Sequence, residues 1–540
     1  MPKLYLLHHA IYAIPGWAHA NFPFNTEMLN TLALAFDAPV AALMIQAAFG
    51  LLALVLLGGW LLRQFGALVA WLAVAICLAS PLLTSVLSSG YAEPAVTYYG
   101  IASVLLVLAW LRQPESGQQR SSSLLVLAGG FAGFGLGAKY WEGQIVAGVI
   151  ILLLGRGSLQ TARLWRQGHP VWPTLRRSLL AALRYGTAAF LPLLPWLLKD
   201  WALLGNPIYP FLWGGPGWDA ARTQMGLVTL SHFGPPGPFW QRLPLAFFGL
   251  FLDVAHAGEV PFTPPNLLLL CVVIWPLRAP LRGMLAVSQR SSSRYGQPEA
   301  ASPAEREIAW VLLIAAVGYI GWVLSGASVD RYALPWVMLL SGPASVILAR
   351  ACQVQWRRPL LRIGAQALRK GLPGAMLFFV LLFGPGFQAW TWWQRDPLPL
   401  LAGQVSLQNW ESNQIMEPAY WETITYINTT IPRDARILLL GRGAGYFLEG
   451  RDYVADSGDD WIPYLETEGR TPAGMLAILQ QAGFRYVVYE EHTLHFIIDT
   501  YGNHYIESFL PAFRQFLASS LQEIKTIGGF HIYAVPPASP

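Results

Sequence analysis

The chain has 540 residues, of which 54% are hydrophobic and only 12% charged, about half the charged fraction of an ordinary soluble domain. This excludes a purely soluble protein and leaves a polytopic membrane protein with a soluble appendage. The net charge of +5 does not point to nucleic acid, because the basic residues gather in short loops between apolar runs, the pattern that orients membrane helices.

Cys77 and Cys271 lie within apolar runs and Cys352 in a basic loop, so neither a disulfide framework nor a paired-cysteine metal site is expected. Met1 to Ala20 has His, Tyr and Pro where the apolar core of a signal peptide would stand. The following stretch, FPFNTEMLNTLALAF, reads as an amphipathic helix. Asn25 or Thr26 would cap it, and Met28, Leu29, Leu32 and Leu34 would form its apolar face.

Runs long enough to span a membrane, roughly 20 apolar residues, follow at Ala38–Leu62, Ala67–Leu87, Ala92–Leu111, Ser178–Leu198, Pro264–Leu277, Ile308–Ser325, Leu334–Ala349 and Ala375–Trp392. Leu124–Leu154 is too long for one span and is interrupted by Lys139, Tyr140 and Glu142. Keeping the basic stretches at Arg112 and Arg156 on the cytoplasmic side makes it two short crossings with Lys139 outside. The same test makes Phe239–Val254 interfacial. About ten transmembrane helices result, and Met1–Asp37 then falls outside, as though a first helix preceded it.

One stretch, LLKDWALLGNPIYPFLWGGPGWD from Leu197 to Asp219, places Lys199 and Asp200 where an apolar helix leaves the bilayer. Gly205, Asn206 and Pro207 break that helix, and Tyr209, Phe211, Trp213 and Trp218 crowd the loop beyond. Trp393 ends the apolar part. In the remainder, ARILLLG, FRYVVYE and FHIYAV read as buried strands, and YWETITYINTTI, PAGMLAILQQAG and IESFLPAFRQFLASS as helices. The fold class is therefore mostly α: a polytopic helical bundle with a small C-terminal α/β domain. The division is 1–37, a loop remnant with an amphipathic helix; 38–394, the transmembrane domain; and 395–540, the outer α/β domain.

Charges at membrane edges are costly and mark sites by default. Glu93, Lys139 with Glu142, Lys199 with Asp200, and Asp330 with Arg331 fall at four helix ends on one face under this topology. Singly, each reads as a snorkelling or interfacial charge; sharing a face, they can converge in one cavity. The residue types suit a lipid phosphate. Lys139 and Arg331 would hold phosphate, the arginine bidentately. Glu93 would be a general base toward an acceptor hydroxyl or would hold a divalent cation; no other cofactor is implied.

Multiple spans, helix-end charges, Asp200 followed by GNPIYPF, the Arg331-Tyr332 pair and a trailing α/β domain together resemble the bacterial GT-C-type glycosyltransferases, relatives of protein mannosyltransferase and aminoarabinose transferase. Within that resemblance, Pro2-Lys3-Leu4-Tyr5 and Phe22-Pro23 to Glu27-Met28-Leu29 correspond to part of the first outer loop. Tyr91-Ala92-Glu93 corresponds to a second acidic position, Gly137-Ala138-Lys139-Tyr140 to a lysine-bearing outer turn, and Arg331-Tyr332 to a late outer pair. The resemblance implies an integral enzyme of the bacterial cytoplasmic membrane with its C-terminal domain outside. It would transfer a sugar, with inversion, from a polyprenyl-phosphate donor to a glycan, lipid or protein acceptor. The implied catalytic residues are Glu93 and Glu27. The implied substrate-binding residues are Lys139, Tyr140, Asp200, Asn206, Tyr209, Arg331 and Tyr332. The family's base is an aspartate of the first loop ahead of the Pro-Lys element, which this sequence does not contain after Met1; Glu27 is the candidate substitute. The alternatives are a non-catalytic membrane protein whose outer domain binds a partner or glycan, and a lipid-linked sugar transporter, which would place charges near the bilayer midplane.

Weaker signals carry no site. Gly441 to Gly445 reads as a tight turn, lacking the dinucleotide spacing. Asp456, Asp459 and Asp460 read as a solvated turn rather than a calcium loop. His8, His9 and His19 lack metal-ligand spacing.

Overall fold

The computed structural model describes residues 1–113, 121–220, 222–224, 226–227, 235, 237–252, 303–325, 329–353, 359–406, 409–410, 418–441, 445–456, 461–501 and 504–538. Its membrane part is built from α1 (Asn25–Ala35), α2 (Pro39–Phe65), α3 (Ala67–Leu78), α4 (Glu93–Arg112), α5 (Ser122–Leu136), α6 (Gly143–Arg166), α7 (Trp172–Phe190), α8 (Leu194–Leu204), α9 (Pro303–Leu324) and α10 (Leu334–Gln353). Among the described residues five helical segments are long and apolar enough to cross a membrane: Pro39–Phe65, Glu93–Arg112, Tyr140–Arg166, Ala304–Leu324 and Arg331–Arg350. The pair α7 and α8, bent by 57°, passes the same test when the two are taken together, as a broken span or a re-entrant loop.

The chain is thus a multi-pass membrane protein; the described residues alone do not reach the ten spans expected. Two of the expected spans are broken by proline, which cannot donate to the helix ladder. Ala67–Leu87 divides before Pro81 into α3 and a short helix, Pro81–Ser88. Ser178–Leu198 bends around Pro192 and Pro195. Pro264–Leu277 lies outside the described residues. Leu124–Leu154 forms two helices, α5 and α6, joined through the turn at Lys139.

The bundle packs around Leu57, Leu61, Val104, Leu108, Val149 and Ile314, each buried. Lipid supplies no hydrophobic drive between helices, so close approach through small residues does that work. Gly129 and Gly133 are the clearest case: a Cβ on either would lie 2.4 Å from a carbonyl oxygen of α7, at Tyr185 and Ala189 respectively.

Helix α1 departs from expectation in two ways. Its N-cap is Phe24 without a side-chain bond, because Asn25 is engaged elsewhere: it accepts from Trp196 Nε1 at 2.7 Å and donates to Pro192 O at 3.2 Å. Its apolar side is not turned to the core either. Thr26, Thr31 and Ala33 are buried while Leu29 and Leu32 are exposed. Where the surrounding solvent is lipid, apolar residues face outward and the polar face turns in.

The C-terminal domain is a five-stranded sheet of order β2-β1-β3-β5-β4, formed by β1 (Arg436–Leu440), β2 (Tyr453–Asp456), β3 (Phe484–Glu490), β4 (Gln522–Ile527) and β5 (Phe530–Ala534). β1 runs parallel to β2 and β3; β5 runs antiparallel to β3 and β4. Helices Pro418–Thr430, Pro472–Gln481 and Leu510–Ser520 accompany the sheet, the second capped by Thr471, which accepts from Gly474 N at 3.1 Å. The start of the chain belongs to this core: Leu4, Ile14 and Ala20 share one buried cluster with Ile437, Val454 and Phe516. Burying Leu4 and Ile14 contributes roughly 1.5–3 kcal/mol each. Lys3 adds hydrogen bonds to the carbonyls of Tyr446 and, at 3.0 Å, Leu448.

Candidate functional site

Three helix ends meet at one rim of the bundle. Glu93 opens α4, where proline in the first turn suits the missing N–H and a carboxylate suits the positive helix end. Lys139 stands in extended backbone between α5 and the 3-10 turn Tyr140–Glu142; Lys139 N donates to Gly135 O at 2.8 Å. Arg331 lies on the 3-10 turn Asp330–Ala333 that leads into α10.

The structure brings these three together. Glu93, 3% exposed, has Oε1 3.4 Å from Arg331 Nε and 3.8 Å from Lys139 Nζ. Both separations exceed a charge-assisted hydrogen bond of about 2.7–2.9 Å, and neither Glu93 oxygen has a hydrogen-bond partner among the described residues. The guanidinium of Arg331 lies over the rings of Tyr91 at 4.9 Å and Tyr332 at 5.1 Å, and Tyr332 stacks on Trp141 with centroids 4.8 Å apart. The arginine is therefore flanked by aromatic faces as well as by Glu93. Burial disfavours charged Lys139, but Glu93, Tyr332 and Glu27 outweigh it and raise its pKa, so the ammonium is kept.

Glu27, on α1, joins the same electrostatic group. Burial lifts its carboxyl to about 7 against the pull of Lys139, and its Oε2 is occluded without a hydrogen-bond partner. A carboxyl poised there can exchange a proton near neutrality.

Asp200 stands apart from the triad. It is fully buried on α8, with Lys199 Nζ 3.0 Å from its Oδ1; Lys199 also donates to Asn21 O at 3.3 Å. Its charge acts on Tyr5, which feels Glu27 as well. Tyr140, on the Lys139 turn, packs edge-on to Phe22 at 5.9 Å and to Phe211 at 6.1 Å, with its hydroxyl buried and unbonded among the described residues. Asn206 and Tyr209 spend their polar atoms on the loop itself. Asn206 Nδ2 donates to the carbonyls of Phe211 and Gly214 at 3.0 and 2.8 Å. Tyr209 OH donates to Pro216 O and accepts from Gly16 N, both at 2.8 Å. Both brace the loop, and Tyr209 also ties it to the start of the chain at Gly16.

Trp141 contributes to this rim without having stood out in the sequence, since tryptophan is common at any membrane interface. Glu142 turns away from the rim: it is fully buried against Gly100 and Gly135. Among the described residues no three His, Cys, Asp or Glu side chains form a group able to hold a metal ion.

A bent, multi-pass bundle that collects charge at one rim beneath a small α/β domain is the GT-C membrane glycosyltransferase fold. The likeness is carried by solved structures. ArnT from Cupriavidus metallidurans, solved bound to undecaprenyl phosphate, matches over 96% of this chain and 89% of its own, with a TM-score of 0.50 and 14% identity. Its apo form matches over 96% and 88% with the same score and identity. The archaeal oligosaccharyltransferase AglB from Archaeoglobus fulgidus, in complex with an inhibitory peptide and a dolichol-phosphate, matches over 96% of this chain and 67% of its own, at 12% identity and a TM-score of 0.43. No protein-family profile and no curated protein matches the sequence.

Proposed function

We propose that this protein transfers a sugar from a polyprenyl-phosphate donor to an acceptor at the outer face of the cytoplasmic membrane. The observation that carries the reading is the Lys139–Glu93–Arg331 group. It places two cations around one underbonded carboxylate at the rim of a fold it shares with a transferase solved bound to undecaprenyl phosphate.

Lys139 and Arg331 bind the donor phosphate, standing 3.8 and 3.4 Å from Glu93 Oε1 on two turns of the same rim. Glu93 keeps the two cations at a fixed separation when no phosphate is present. Glu93 is engaged by both cations, so the base is sought at Glu27. Glu27 takes the proton from an acceptor hydroxyl; that oxygen attacks the anomeric carbon from the side opposite the phosphate. The bond from that carbon to the phosphate oxygen breaks, and its electron pair leaves on the polyprenyl phosphate. Lys139 and Arg331 stabilise the negative charge that develops there. Tyr140 and Tyr332, next to Lys139 and Arg331 in sequence, flank the two cations.

The reading is tested by sugar transfer from polyprenyl-phosphate donors by the purified protein, alongside undecaprenyl-phosphate binding measured by native mass spectrometry. Binding and transfer that survive both Lys139→Ala and Arg331→Ala would remove it.

A further inference from the structure

The loop that follows α8 carries a feature that sugar transfer does not use. Asn206 braces it from within, holding the carbonyls of Phe211 and Gly214. Between those two carbonyls stand Leu212 and Trp213, 80% and 70% exposed. Leu212 has φ +63, in the left-handed region that a bulky side chain enters only under strain. Gly205, Gly214, Gly215 and Gly217 of the same loop also take positive φ, so glycine is the unstrained choice for such a position. A strained leucine beside an exposed tryptophan, held rigidly outward, is the reverse of what a water-facing turn requires.

We propose that the Phe211–Trp213 tip is a wedge seated in the headgroup–acyl boundary of the bilayer, covered by bilayer lipid rather than by a protein. Three observations favour lipid. The tip leaves directly from α8, half of a bent apolar pair whose Leu198 and Trp201 are exposed. It runs Phe-Leu-Trp-Gly-Gly, with no charge to complement a partner surface. Tryptophan is the side chain best suited to this depth. Phe211 ties the wedge to the rim, its ring stacked on Phe22 at 5.8 Å and edge-on to Tyr140 at 6.1 Å. The depth of the tip is thereby linked to the turn next to Lys139. The wedge holds whether or not the protein transfers sugar.

The test uses the full chain with Cys77→Ser, Cys271→Ser and Cys352→Ser, carrying a single cysteine in place of Leu212 or of Trp213 and labelled with an environment-sensitive fluorophore. A control places the label at Ile524, on strand β4. In phosphatidylcholine–phosphatidylglycerol vesicles containing shallow doxyl lipids, the tip labels should be blue-shifted and quenched about threefold more than the control, as for a group at the headgroup boundary. Tip labels as water-exposed as the control would overturn the wedge. So would a blue shift without lipid quenching, which would mean that a protein surface covers the tip. If Leu212→Cys fails to fold, Trp213→Cys reports the same position.

Discussion

Helix α4 begins at Glu93 and ends at Arg112, about 30 Å apart along the axis, and each end joins arginine to glutamate. At the Arg112 end the contact is bidentate, Arg112 gripping both carboxylate oxygens of Glu307, one at 2.6 Å, and Arg350 meets Glu305 at 2.9 Å. At the Glu93 end Arg331 stands 3.4 Å from the carboxylate, and a lysine, Lys139, 3.8 Å from it. The tight rim spends its charges on holding α4, α9 and α10 together. At the loose rim Glu93 closes no hydrogen bond to either cation among the described residues, and this is where we propose that an anion binds. Composition does not separate the two rims; geometry does.

The largest expected effect lies at the tight rim. Arg112→Ala would leave the buried Glu307 carboxylate without its partner, a loss of about 3 kcal/mol, read as a lowered melting temperature in detergent. Arg331→Ala should leave that temperature nearly unchanged. If the two variants are equally destabilised, the loose rim is structural and the contrast fails.

Next comes transfer itself. Removing one cation from a phosphate contact costs about 2 kcal/mol, so Lys139→Ala and Arg331→Ala should each lower kcat/KM roughly 30-fold. Wild-type rates in both variants would mean that the phosphate binds elsewhere.

The pH dependence is expected to centre on Glu27, which stands among Lys139, Glu93 and Tyr5. With its carboxyl raised to about 7, transfer should fall as pH drops through 7, and Glu27→Gln should be slow at every pH. The stability effect has the opposite sign. A carboxyl whose folded pKa is raised gives its full stabilisation below its unfolded value of 4.5 and loses it as pH rises through 7. Glu27→Gln should therefore be more stable than wild type above pH 7, a gain that thermal melts at pH 5 and pH 8 would resolve.

Much of the loose rim was legible in the sequence, because Lys139 and Arg331 interrupt or flank apolar runs where a charge is conspicuous. Four things were not. Asn206 and Tyr209 sit in a distinctive motif, yet their polar atoms brace their own loop and, for Tyr209, the backbone at Gly16, and no spacing rule separates a loop-building side chain from a ligand-binding one. The side of α1 that faces inward could not be read from its amphipathic pattern, since periodicity gives a face but not the polarity of what surrounds it. Leu4 and Ile14 joined a sheet more than 400 residues later, a contact that local periodicity does not encode. Strand β4 also escaped notice, being exposed along most of its length and so lacking an apolar alternation.

The smallest effect is the one that calibrates the comparison. Arg350 is 43% exposed in its pair with Glu305, and exposed ion pairs contribute about 0.2–1 kcal/mol. A double-mutant cycle on Arg350 and Glu305 should therefore give a coupling no larger than about 1 kcal/mol. The same cycle on Lys139 and Glu93 should give less, since 3.8 Å is too long for a hydrogen bond and the lysine is not committed to it. Adding undecaprenyl phosphate should then stabilise wild type and not the Lys139→Ala variant, because the cation that contributes little to folding is the one that meets the ligand. A Lys139–Glu93 coupling larger than that of Arg350–Glu305 would make it a structural ion pair, and phosphate binding would have to be sought away from it.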